Sequence, residues 1–104
     1  MKMNDILDDR VIDLNAHATD KDDILTQLSG KLQKAGYIDN AEEFKKDIYL
    51  REAEGCTGIG SYIAIPHGKS DSVTNVGIAI AKLDEEIEWE TLDGKGVKLV
   101  FLFA

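Results

Sequence analysis

Cys56-Thr57-Gly58-Ile59-Gly60-Ser61-Tyr62-Ile63-Ala64-Ile65-Pro66-His67-Gly68-Lys69 is the stretch whose reading decides the fold. Two glycines punctuate a loop, a short run with β-forming residues follows, and the run delivers a histidine between the chain's only proline and a glycine. Tyr62 to Ile65 therefore reads as a strand that ends on a stiff corner. Pro66 fixes the approach to His67, and Gly68 lets backbone come close.

Upstream the pattern is helical. Ile24, Leu25, Leu28, Leu32 and Ala35 fall on one face at the helical period, and Gly36 supplies a stop. Thr19 and Asp22 have capping-box spacing at the start of this helix. Asn40 and Glu43 repeat that logic for a second helix, predicted to run to about Glu54 with Gly55 beyond it. The inner face of the second helix carries Ala41, Phe44 and Ile48, and then Arg51 and Glu52. An apolar stripe thus ends in a charge pair. Before both helices, Val11 to Leu14 reads as a short first strand.

Downstream the period changes to two. Val76, Ile78 and Ile80 alternate with Gly77, Ala79 and Ala81, which gives one bulky face and one flat enough for a helix to approach. A short strand around Ile87 to Trp89, a turn at Asp93-Gly94 and a nearly continuous apolar strand from Val97 to Phe103 complete the chain. Such a strand is normally covered on both faces. Two helices leave part of it bare, so further elements or a second copy of the chain are expected to cover the sheet.

At 104 residues the chain supports one domain, here spanning 1–104. Twelve basic against twenty acidic residues, a net charge of −8, argue against nucleic acid or an anionic membrane as partner. A partner with a basic face suits this charge better. No apolar run is long enough to span a bilayer, and Met1-Lys2-Met3-Asn4-Asp5 lacks a signal peptide's apolar segment, so a cytoplasmic protein is expected. The single cysteine agrees with that compartment.

His67 is the candidate nucleophile. A neutral imidazole has a pKa near 6.5, and one ring nitrogen attacks while the other donates to a backbone carbonyl. The same Pro-His-Gly is also an ordinary surface turn. Arg51 stands at the inner end of a helix, where a guanidinium steadies the oxygens of a transferring phosphoryl group. Equally, it complements the helix C-terminus or pairs with Glu52. The Gly58 and Gly60 amides suit an anion or, more simply, a tight turn. Cys56 reads as a buried inert thiol, His17 as a solvated loop residue far from any ligand-spaced partner, and Asp84, Glu85, Glu86, Glu88 and Glu90 as a solvated strand edge.

Taken together, Arg51-Glu52-Ala53-Glu54-Gly55-Cys56-Thr57-Gly58-Ile59-Gly60 and Ile63-Ala64-Ile65-Pro66-His67-Gly68-Lys69 closely resemble the enzyme IIA domains of the fructose/mannitol class in the bacterial sugar phosphotransferase system. The resemblance continues through Val76 to Ile80, Trp89, Leu92-Asp93-Gly94 and Val97 to Leu102. It implies a mixed α/β fold, a β-sheet flanked by helices, and a phosphocarrier. His67 would take a phosphoryl group from the phosphohistidine of HPr and pass it to a cysteine of a IIB domain, with Arg51 stabilising the phosphoryl group. No metal or organic cofactor is implied. Regulatory IIA-like domains, nitrogen-related or attached to transcription activators, are the alternative, with the same histidine reporting its phosphorylation state. Domains of this family continue past the strand matching Val97 to Phe103 into helices that bring a second histidine beside the first. Ala104 is the last residue here, and His17 does not match that position, so a domain incomplete at its C-terminus is expected.

Overall fold

The computed structural model describes residues 8–67 and 69–104. A 3-10 turn, Asp9–Val11, leads into β1 (Ile12–Ala16), followed by α1 (Lys21–Lys34), α2 (Ala41–Glu52), β2 (Gly58–Gly60), β3 (Ile63–Ala64), β4 (Ile78–Ile87) and β5 (Val97–Phe103). The strands form one mixed sheet in the order β1-β4-β5-β3-β2. β1 runs parallel to β4 and β3 parallel to β5, while β4–β5 and β2–β3 are antiparallel. The expected mixed sheet with flanking helices is what the chain forms.

The alternation in β4 explains where α1 lies. Ala79 and Ala81 are fully buried, and with Leu83, Val100 and Leu102 they make the face that receives Ile24, Leu25, Leu28 and Leu32 of α1. Small side chains on the strand let the helix axis approach while leucines fill the space between. Phe44 and Ile48 of α2 complete this core. α2 is tied to α1 by the Tyr49 hydroxyl donating to Asp22 at 2.7 Å and Lys45 Nζ donating to Thr26 at 2.9 Å. On the opposite face Ile12, Ile78, Ile80, Leu99 and Phe101 remain half-buried, and Leu14 and Phe103 are exposed. β5 is therefore covered on one face only among the described residues.

Several local expectations need correction. The α1 cap is Asp20, whose carboxylate accepts from Asp23 N at 2.8 Å, while the Asp23 carboxylate accepts from Thr19 N at 3.0 Å. The reciprocal pairing expected of Thr19 and Asp22 is replaced by a cap at Asp20 and a return bond between Asp23 and the Thr19 amide, one residue further out. Tyr62 does not begin a strand: Ser61 and Tyr62, with φ of 55° and 65°, form the tight turn between β2 and β3. No separate strand spans Ile87 to Trp89, because β4 runs unbroken to Ile87. The acidic run is solvated as expected: β1 pairs with β4 only as far as Leu83, so Asp84, Glu85 and Glu86, all exposed, have no strand beside them on that side. Cys56 is half-buried rather than buried.

Candidate functional site

α2 begins as the sequence predicts, with Asn40 accepting from Glu43 N at 3.1 Å, so its helical phase is set from the first turn. Phe44, Ile48 and Glu52 are its buried positions, and Arg51 is half-buried beside them. Arg51 Nη1 donates to Gly55 O at 3.3 Å. Among the described residues it forms no ion pair, and the expected alternative partner, Glu52, is taken elsewhere. Four of its five N–H donors thus remain free of that contact.

His67 follows Pro66 at the end of the β3 segment. Its Nδ1 lies 2.9 Å from Ile65 O. A carbonyl oxygen only accepts, so Nδ1 carries a proton, and in the neutral ring Nε2 then keeps its lone pair. That is the arrangement expected of a nucleophilic imidazole. The segment is held at both ends: Ile65 N donates to Thr57 O at 3.0 Å, and Phe103 N donates to Pro66 O at 3.2 Å. The expectation for Gly68 falls outside the described residues.

Arg51 and His67 line one concavity of about 580 Å³, together with Asp47, Leu50, Glu54 and Lys69. Leu50 is 69% exposed at its rim. The two residues singled out from the sequence are therefore brought together, and two cations border a histidine whose ring is exposed.

The glycines serve packing. A Cβ on Gly58 would stand 2.5 Å from Glu90 O, and Leu92 N donates to Gly58 O at 3.0 Å. Asp93 accepts from Ser61 N at 3.0 Å and from Lys95 N at 3.1 Å, bonds that hold its carboxyl below the usual range, the Ser61 amide most of all. His17 is exposed, with Nδ1 3.1 Å from Asp84 Oδ2, a partner the sequence reading missed. β1, which precedes His17, is separated from β3 by two strands, so it does not join His67. Among the described residues, no group of three or more His, Cys, Asp or Glu side chains is placed to hold a metal ion, and no helix is long and apolar enough to cross a membrane.

Sequence reasoning also missed what surrounds Glu52. Lys21 Nζ donates to its Oε2 at 2.6 Å, and the Thr57 hydroxyl donates to its Oε1. The same Lys21 ammonium lies 4.9 Å from the centroid of the buried Trp89 ring. The available signal was the i, i+4, i+8 spacing of Phe44, Ile48 and Glu52, which puts a carboxylate in a core position.

Fold and site define a mixed α/β domain in which an exposed histidine, its Nδ1 bonded to backbone, shares a concavity with a half-buried arginine. Residues 5–104 match the family described as the phosphoenolpyruvate-dependent sugar phosphotransferase system, EIIA 2, and the chain belongs to that family. The fructose-specific EIIABC component of the phosphotransferase system of Bacillus subtilis is 36% identical over 104 residues, covering 100% of this chain and 16% of that protein. The crystal structure of the nitrogen regulatory protein IIA-Ntr from Neisseria meningitidis superposes with a TM-score of 0.85 at 25% identity, over 97% of this chain and 68% of that one. Enzyme IIA for mannitol from Escherichia coli, in its complex with phosphorylated enzyme IIB, gives a TM-score of 0.80 at 25% identity, over 94% of this chain and 69% of that one. The chain spans about a sixth of the length of the Bacillus relative.

Proposed function

We propose that this domain is a cytoplasmic phosphocarrier of a sugar phosphotransferase system. His67 Nε2 attacks the phosphorus of the phosphohistidine of HPr. A new N–P bond forms as the donor's N–P bond breaks, and the group then passes to a cysteine of a IIB domain. Arg51 faces the phosphoryl oxygens and offsets their negative charge. The observation that carries this reading is the 2.9 Å contact of His67 Nδ1 with Ile65 O, which leaves Nε2 open in the concavity that Arg51 borders. The IIB partner is supported by the mannitol IIA–IIB complex and by the EIIABC relative. Transport is favoured over a purely regulatory role because the fructose-specific relative matches along the whole of this chain, whereas the transcriptional regulator ManR of Bacillus subtilis, at 37% identity, matches 81 residues of it.

The test is labelling from phosphoenolpyruvate through enzyme I and HPr. One acid-labile phosphohistidine is expected, absent in His67→Ala; a label persisting in that variant refutes the assignment. Arg51→Ala is expected to slow transfer about 30- to 160-fold, ~2–3 kcal/mol of barrier, below the full value of a buried donor because the concavity is open to water. An unchanged rate would return Arg51 to its helix-end bond with Gly55.

A further inference from the structure

Glu52 is the one acidic side chain buried in α2, with 6% of its side chain accessible, and both oxygens are taken. A buried carboxylate bonded on one side only would carry a large desolvation cost, so its two partners are a requirement of the site. They come from different places. Lys21 opens α1, and Thr57, itself buried, begins the glycine loop.

Thr57 connects this pair to the histidine. Its carbonyl accepts from Ile65 N at 3.0 Å, and the Ile65 carbonyl in turn meets His67 Nδ1 at 2.9 Å. Arg51, the neighbouring residue on the other side, leaves α2 one position before Glu52. One carboxylate therefore ties the helix end that carries Arg51 to the strand segment that carries His67. The geometry points to Glu52, gripped by Lys21 and Thr57, as the positioning residue that sets the Arg51 guanidinium against the His67 ring. This rests on the phosphocarrier reading for its catalytic consequence, while the ring's own hydrogen bond is independent of it.

The test compares Thr57→Val, which keeps the shape and removes the hydroxyl, with Thr57→Ser, which restores it. Glu52→Gln serves as a second variant if it folds. Transfer from phosphorylated HPr should lose at least about ten-fold in kcat in Thr57→Val, with KM changed less than about two-fold, since a misplacement of the reacting groups acts on the transition state. Thr57→Ser should recover most of the rate. In the unphosphorylated protein, the 15N spectrum of the His67 ring should show the Nδ1–H tautomer in the parent and in Thr57→Ser, and a reduced share of it in Thr57→Val. A kcat and ring spectrum in Thr57→Val that match the parent would overturn the proposal and leave Glu52 a purely stabilising ion pair. Should the parent take no label, the phosphocarrier reading fails, and the ring spectra still decide whether the clamp exists.

Discussion

Replacing Gly58 by alanine tests whether the glycine motif exists for close packing. A Cβ at this position would meet Thr91 Cγ2 at 2.4 Å, Glu90 O at 2.5 Å and Thr91 Cα at 3.0 Å. Ordinary contact begins near ~3.4 Å, so relief requires a displacement of about 1 Å. The Thr91 methyl can rotate away, but Glu90 O and Thr91 Cα are backbone. They cannot retreat freely, because Leu92 N is bonded to Gly58 O at 3.0 Å and Gly58 pairs with Ala64 on its other side. Overpacking against backbone of this kind costs ~2–3 kcal/mol. For a chain of this length that is a fall in melting temperature of ~10–20 °C, read by circular dichroism. Gly55→Ala is the matched control. Its Cβ meets nothing within 4 Å, so its melting temperature should stay within about 3 °C of the parent or rise slightly. A Gly58→Ala protein melting within about 2 °C of the parent would refute the argument from close approach.

Two further predictions concern the turn and the acid limit. Ser61 and Tyr62 both hold positive φ in a two-residue hairpin, where Asn-Gly is the favoured pair. Ser61→Asn combined with Tyr62→Gly is expected to raise the urea midpoint by the equivalent of ~1 kcal/mol, less any contribution from the Lys95 ammonium 5.5 Å from the Tyr62 ring centroid; a lowered midpoint would show that contact to dominate. The carboxyls of Asp22, Asp23 and Asp93 are held low by, respectively, the Tyr49 hydroxyl with Lys45, the Thr19 amide with Gln27, and the Ser61 and Lys95 amides. Folded values below unfolded ones mean stability present above about pH 4 and lost as pH falls through the folded values. Melting temperature should therefore drop between about pH 5 and pH 3, and less steeply in Asp93→Asn; a flat profile would contradict the bonding assigned to these groups.

What the sequence made legible follows the range of the interactions involved. Helix ends depend on bonds three or four residues long, so Asn40 with Glu43 was readable outright. Thr19 against Asp20 was missed by one position because both are competent caps, and the choice turned on Asp23 reaching back to the Thr19 amide. Tyr62 was misread because its aromatic ring favours strands, whereas the two-residue connection between β2 and β3 forces positive φ on whatever stands there. In β4 the run of carboxylates hid a strand that continues through them: Asp84, Glu85 and Glu86 are exposed and lie in the register shift between the Lys82–Leu99 and Ile87–Val97 pairs, after which β4 meets β5 again. At the candidate site, the proline corner and helical phase mark His67 and Arg51 only as candidates with structural alternatives, and the family resemblance joins them; the fold brings both to one concavity. Glu52 was legible only as an anomaly, a charge at a core phase. Its cation, Lys21, lies 31 residues away in the chain, and no local pattern names it. The anomaly still constrains the search. A carboxylate that helical phase forces inward needs a cation or hydroxyls from elements that pack on that face. A lysine in the first turn of α1, where it gains nothing from the helix dipole, stands out as the candidate.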